Sequence, residues 1–261
     1  FKDPKLRTLT YPAVDARAVR DLLVDPKVGR FPEGNVQLIT NEEATVARIR
    51  EEIGWLRQKT KPEDLVLVYF ASHGLPRDED PNGVSYIAVN DSTLTNAATR
   101  YATSIQMIDL VNTLTRELQA LRVVLILDTC YSGDATTLGQ QPIAVSQLAS
   151  FSESLRLFQS GAGRVVLTAA SADQLSYESA KLKHGYFTHF LLQTLKKSSG
   201  QATIGEIFKD VKANTENAVQ CDLRQKQTPQ MIAGSTAAGM VLGVRPDIGW
   251  ILSFLVLPPE F

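Results

Sequence analysis

Two continuous apolar runs dominate the hydrophobic pattern, Leu65-Val66-Leu67-Val68-Tyr69-Phe70 and Val123-Val124-Leu125-Ile126-Leu127. Runs of this length, bounded by polar and glycine residues, read as strands of a parallel sheet buried on both faces. Arg164-Val165-Val166-Leu167-Thr168 has the same character. Between these runs the apolar spacing turns helical. Ala13, Val14, Ala16, Val19, Leu22 and Leu23 predict a helix that Asp25-Pro26 stops. Val36 to Ile39 predicts a short strand, after which Thr40 or Asn41 is expected to cap a helix reaching Leu56. A strand from Val84 to Val89 is expected beyond the polar loop Pro76 to Gly83. Ser104 is expected to cap a helix whose apolar face is Ile105, Ile108, Leu110, Val111, Leu114 and Leu118. Further helices are expected at 186–195 and 204–219, and Thr228-Pro229-Gln230-Met231-Ile232 leads toward a last strand. Alternating strands and helices of this kind predict an α/β fold.

Two stretches depart from the alternation. Residues 134–163 are rich in Thr, Gln, Ser and Gly, with one helical piece expected at 146–158; so long a connection inside a domain is functional or mobile. From Val244 the chain turns strongly apolar, Ile248 to Leu257 between Arg245-Pro246 and Pro258-Pro259. That run is too short for a bilayer, which needs ~20 residues. It reads as a strand or packed tail, or else as a segment for a membrane or partner. The organisation expected is one domain over 1–243, divided into 1–133, a linker 134–163 and 164–243, with a tail 244–261.

Charge narrows the partners. With 27 basic and 28 acidic residues the net charge is −1, which gives no general attraction to nucleic acid or to an anionic membrane. The two cysteines, Cys130 and Cys221, are too few for a disulfide framework and suit a reducing, cytoplasmic interior; one disulfide between them is the alternative. No other cysteine stands at metal spacing from Cys221, so zinc is unsupported.

The chemistry lies where the two long runs end. One discharges into Ser72-His73-Gly74, the other into Asp128-Thr129-Cys130-Tyr131-Ser132-Gly133. Parallel sheets put ligands at the carboxyl ends of their strands, so both clusters are expected on one rim. A thiol has a pKa of ~8.5 and needs help to become a nucleophile, while peptide hydrolysis needs a proton for the leaving amine. His73 is placed to serve both needs for Cys130. Backbone N–H groups at Gly74 and Cys130 are the expected oxyanion donors, among small residues that admit a close backbone approach. Asp128, two residues before Cys130, can line the pocket for the residue preceding the cut, where a carboxylate pairs with Arg or Lys. His184 and His189 read as structural, and Ser132 and Ser171, which lack a Gly-x-Ser-x-Gly frame, read as residues that shape the substrate pockets.

At these residues the chain resembles the caspase-like cysteine peptidases, specifically the metacaspase and bacterial orthocaspase branch. The resemblance spans Phe1 to Val244. It rests on the Ser72-His73-Gly74 and Asp128-to-Gly133 blocks, their 57-residue separation and the strand end Thr168-Ala169-Ala170-Ser171-Ala172. It implies that His73 is the catalytic histidine and Cys130 the nucleophile, on a mainly parallel sheet flanked by helices on both faces, with processing in the 134–163 linker. It also implies that Asp128 shares a basic-residue pocket with the acid of Val14-Asp15-Ala16, predicting cleavage after Arg or Lys. Caspases that cut after Asp use arginines there and a Gln-Ala-Cys pattern, whereas this chain has Asp-Thr-Cys. Arg156 and Arg164 are the candidate sites of self-processing.

The chain departs from the pattern in places. Tyr131 stands where many relatives have histidine, which implies an altered pocket wall. In the family a central apolar strand precedes a segment like Phe1-Lys2-Asp3-Pro4, so that strand is expected to be absent or its slot filled from elsewhere. Some relatives need calcium, but Asp78, Asp80, Asp91 and Asp134 lack EF-hand spacing and read as solvated loop acids. Neither a metal nor another cofactor is expected. The function expected is therefore a cysteine endopeptidase acting on polypeptides, in bacterial signalling, defence or cell death as the resemblance implies, with a regulatory protein or domain as a further partner. A catalytically silent caspase-like scaffold is the alternative, and a thiol hydrolase or transferase of small molecules is a third.

Overall fold

In the computed structural model the described residues are 1–75, 84–130, 163–171, 174–234 and 236–243, with the backbone of 252–256; Cys130 is described by its backbone. The strands are β1 (Val36–Leu38), β2 (Leu65–Leu75), β3 (Tyr86–Ile87), β4 (Ile105–Gln106), β5 (Arg122–Cys130), β6 (Arg164–Thr168), β7 (Glu178–Ser179), β8 (His184–Gly185), β9 (Gln230–Ala233) and β10 (Leu252–Val256). The helices are α1 (Pro12–Val24), α2 (Val46–Lys59), α3 (Ala97–Thr103), α4 (Met107–Asn112), α5 (Tyr186–Lys197) and α6 (Ile204–Leu223).

The main sheet runs β1-β10-β2-β5-β6-β9, parallel throughout except for β9, which pairs antiparallel with β6. Alternation along the strands sends side chains to two cores. Leu65, Leu67, Tyr69 and Ala71 of β2, with Val124 and Ile126 of β5, pack against α1, α5 and α6. Val66, Val68 and Phe70, with Val123, Leu125 and Leu127, pack against α2 and α4. Both faces are therefore covered, as continuous apolar runs require. Each fully buried aliphatic side chain contributes about 1.5–3 kcal/mol through removal from water.

Local chemistry sets the helix ends. Pro12 opens α1, and Ala13 and Ala16, both buried, let its backbone approach the sheet closely. Glu178 of β7 accepts from the N–H groups of Thr10 and Tyr11 at 3.0 and 2.8 Å, holding the entry to α1. Thr203 and Glu206 form a capping box at the start of α6.

Several expectations need correction. The helix after β1 begins at Val46, capped by Thr45, because Asn41 adopts a left-handed φ of 57° and Asn41–Glu43 forms a separate 3-10 turn. Ser104 caps no helix N-terminus. It follows α3, its hydroxyl donates to Ser92 at 3.0 Å, and Ile105–Gln106 is β4; α4 starts at Met107 and passes into a π-helical turn, Thr113–Glu117. The tail supplies β10, inserted in parallel between β1 and β2, so its strand reading is the one observed. No helix among the described residues is long and apolar enough to cross a membrane. Cys221 is free and exposed, so it forms no bridge with Cys130.

Leu125 sits in the centre of β5 between Val68 and Val166. Leu125→Ala is expected to cost about 2–5 kcal/mol. The check is urea unfolding, with a lowered midpoint at unchanged slope.

Candidate active site

The register of β2 and β5 brings the two reactive clusters together. Nine residue pairs run from Leu65↔Arg122 to His73↔Cys130, so the imidazole-bearing and thiol-bearing positions end as direct neighbours. In β2 the positions of Leu67, Tyr69, Ala71 and His73 step along the face covered by α1 and α5; in β5 those of Val124, Ile126, Asp128 and Cys130 do the same. Both strands thus change from apolar to chemically active residues on one face, at one end.

His73 is oriented by a group that sequence reasoning missed. Its Nε2 lies 2.6 Å from the main-chain carbonyl of Arg7. A carbonyl only accepts, so Nε2 carries a proton, and Nδ1 is the acceptor nitrogen when the ring is neutral. The ring also stacks on Phe1, centroids 5.2 Å apart. Ser72 fastens the strand end by donating to the carbonyl of Ala88 at 2.6 Å, and Gly74 pairs with Ile87 of β3.

Asp15 and Asp128, predicted far apart in the sequence, converge. A Cβ built on Gly185 would lie 3.0 Å from Asp128 Oδ2 and 3.3 Å from Asp15 Oδ2. Both carboxyl groups are buried. Asp15 Oδ1 contacts His184 Nδ1 at 2.5 Å, and Oδ2 accepts from the Gly185 N–H at 3.0 Å. Asp128 accepts from the Ser176 hydroxyl at 2.7 Å and the Thr188 hydroxyl at 2.6 Å.

The hydroxyl orientations around Asp128 follow from donor counting. Because Thr188 donates to Asp128, its oxygen accepts from the Tyr69 hydroxyl 2.7 Å away. Likewise Gln227 donates to the Ser176 oxygen at 3.2 Å and to the Ala169 carbonyl at 3.0 Å. Two chains of donors therefore end on the same carboxylate and favour its charged form. Burial opposes them and pushes Asp128 above the usual carboxylate range. Asp15 is pushed up to about 7, first by burial and also by the neighbouring Asp128, against the hydrogen bonds from His184 and Gly185. Burial beside these two acids raises Tyr69 as well, keeping its hydroxyl a donor.

Ser176, Thr188, Gly185, Gln227 and His184 were not singled out as pocket residues, and only His184-Gly185 before a helix offered a local signal. Ser171 lies at the end of β6, its carbonyl accepting from Gln174 N–H at 3.0 Å. Arg164 is the first residue of β6, its carbonyl bonded to Gly234 N–H at 2.9 Å and its guanidinium to the Thr115 carbonyl, so the bond following it belongs to a strand rather than to an exposed linker. Arg156, Tyr131, Ser132, Asp78, Asp80 and Asp134 lie outside the described residues. Asp91 accepts from the Val46 N–H at 3.1 Å, at the start of α2. Among the described residues no group of three or more His, Cys, Asp or Glu is arranged to hold a metal ion.

The profile of the caspase domain, peptidase C14, matches residues 1–238. The fold is similar to that of a protein from Geobacter sulfurreducens, with a TM-score of 0.59 and 17% identity over 96% of this chain and 91% of that one. It is equally similar to caspase-1 from Spodoptera frugiperda, with a TM-score of 0.59 and 15% identity over 95% and 87%. Among curated proteins none matches significantly. The chain belongs to the caspase-domain family of cysteine peptidases, a family whose peptidase domain implies polypeptide substrates.

Asp15→Asn tests the cost of burying the acids. A carboxyl held near 7 in the folded protein and at ~3.9 unfolded loses stability as pH rises between those values. The Asn variant is expected to melt a few degrees above wild type at about pH 8, with the difference vanishing near pH 4. Thermal melts across that range provide the check.

Proposed function

We propose that this caspase-domain protein is a cysteine endopeptidase that hydrolyses polypeptides after Arg or Lys. The observation that carries the reading is the convergence of Asp15 and Asp128 on Gly185, on the same sheet face as the adjoining His73 and Cys130 positions. A glycine without a side chain between two carboxyl groups suits a guanidinium or ammonium head, whose N–H groups can donate to the unused lone pairs of both acids.

The reaction follows from the placement. His73 takes the Cys130 thiol proton on Nδ1, the resulting thiolate attacks the scissile carbonyl, and the N–H groups of Gly74 and Cys130 stabilise the oxyanion. Collapse of the tetrahedral species breaks the C–N bond, and His73 protonates the departing amine through Nδ1. Water then hydrolyses the thioester, with His73 taking its proton and the thiol regenerated. The Arg7 carbonyl keeps the ring turned so that Nδ1 serves these transfers. No metal is required by this sequence of steps. The domain organisation in this reading is a large-subunit-like part, 1–133, and a small-subunit-like part, 164–243, whose strands share one sheet. Processing within 134–163 at Arg156 is its natural control, and membership of the metacaspase and orthocaspase branch accounts for the basic-residue choice.

Peptide amides carrying Arg, Lys, Asp or citrulline before the scissile bond test the specificity. Arg and Lys substrates are expected to be cleaved, Cys130→Ala to be inactive, and Asp128→Asn to lose roughly 100-fold in kcat/KM for Arg with a smaller loss for citrulline. Preference for Asp would overturn the pocket, and an active Cys130→Ala protein would overturn the nucleophile. For self-processing, intact-mass spectrometry of wild type beside Cys130→Ala is expected to show a cut after Arg156 in wild type alone.

A further inference from the structure

The two acids are not treated alike. Asp128 is held by neutral hydroxyl groups, whereas Asp15 is held by an imidazole. That imidazole is on β8, one residue before Gly185, and it leads out of the pocket. His184 and His189 of α5, ring centroids 5.9 Å apart, line a separate open cavity of about 380 Å³ between α1 and α5, shared with Asp21, Asp25, Gln193 and Lys196.

We infer that His184 is a positioning residue for substrate selection, its Nδ1–H holding the Asp15 carboxylate charged and aimed beside Gly185. The inference rests on the basic-pocket reading of Asp15 and Asp128. Its geometric basis is threefold. The Nδ1–Oδ1 contact is 2.5 Å; the peptide of the next residue donates to the other oxygen of the same carboxylate; and Asp15 is buried while His184 lines an open cavity. The Nδ1–H donor favours the ionised form of Asp15, and without it the carboxyl group takes up a proton more readily, leaving the pocket one charge short. The ring therefore couples a surface cavity to the charge offered to substrate.

Other ionisable groups bear on the pair from each neighbouring element. Asp128 of β5 and Tyr69 of β2 face Asp15 from the sheet, and Glu178 of β7 acts on Asp128. On the cavity side Asp21 and Asp25 come from the α1 side and Lys196 and His189 from α5. His189 is pushed below the usual histidine range by burial and by His184. The net effect on Asp15 is a carboxyl group near 7, where removal of one hydrogen-bond donor changes its charge state.

The test is the ratio of kcat/KM for an Arg peptide amide to that for its citrulline isostere, measured against pH. The ratio cancels the pH dependence of the Cys130–His73 chemistry, which both substrates share. In wild type it is expected to rise with pH about a midpoint near 7. His184→Leu is expected to move the midpoint up by about one unit or more, lowering the ratio roughly tenfold at neutral pH and recovering in alkali. His184→Gln, which keeps an N–H donor, is expected to fall between them. An unchanged profile in His184→Leu overturns the inference. A wild-type ratio near one at every pH overturns the basic-pocket reading instead. The carboxyl-carbon NMR titration of Asp15 then decides the His184 inference separately: its midpoint must rise in His184→Leu, and an unmoved midpoint overturns it.

Discussion

The parallel register between β2 and β5 is the constraint on which the site depends. Nine consecutive pairs, five of them between buried apolar residues, must align before His73 and Cys130 become neighbours. A slip by one residue would turn Val124, Ile126 and Asp128 toward the α2 and α4 core and their alternates toward α1. That would bury a carboxyl group among aliphatic side chains and remove the hydroxyl donors of Thr188 and Ser176. Hydrophobic alternation and polar satisfaction therefore select the same register, and that register assembles the chemistry.

A second consequence concerns charge. The pocket collects two acids in a place where neither is well solvated, and the fold offsets the cost with donors drawn from β8, α5 and the loop before β7. The tie between Glu178 and the entry of α1 holds the helix that carries Asp15. A cationic side chain placed between the acids would relieve the burial cost that lifts Asp15, so binding and charging of the pocket reinforce one another. In the proposed basic-residue pocket this is differential affinity built from destabilisation of the unbound carboxylates, and that reading links the stability of α1 and β8 to substrate choice.

The long strands were legible because continuous apolar runs with flanking polar residues have few other solutions. The helices with regular apolar spacing, α1, α5 and α6, were equally legible. α3 was not: Ala97–Thr103 has no apolar stripe, buries Arg100, and is announced only by the capping pair Asn96 and Thr99. Ser104 was misread because its hydroxyl serves Ser92 across a turn, a tertiary contact with no local signature. For the site, Asp15 entered through resemblance, since nothing local separates it from an ordinary polar residue on the first turn of a helix. The Arg7 carbonyl was invisible because a backbone oxygen carries no sequence identity. His184 looked like a loop residue until folding set it against Asp15, 169 positions away.

The most direct test is a crystal structure of the protein covalently bound through a peptidyl-arginine chloromethyl ketone. The central claim predicts a thioether at Cys130 Sγ with His73 beside it, and the guanidinium over Gly185 in hydrogen-bond contact with Asp15 and Asp128. Alkylation elsewhere, or a guanidinium that projects into solvent while the two carboxyl groups stay bonded only to protein donors, would contradict it.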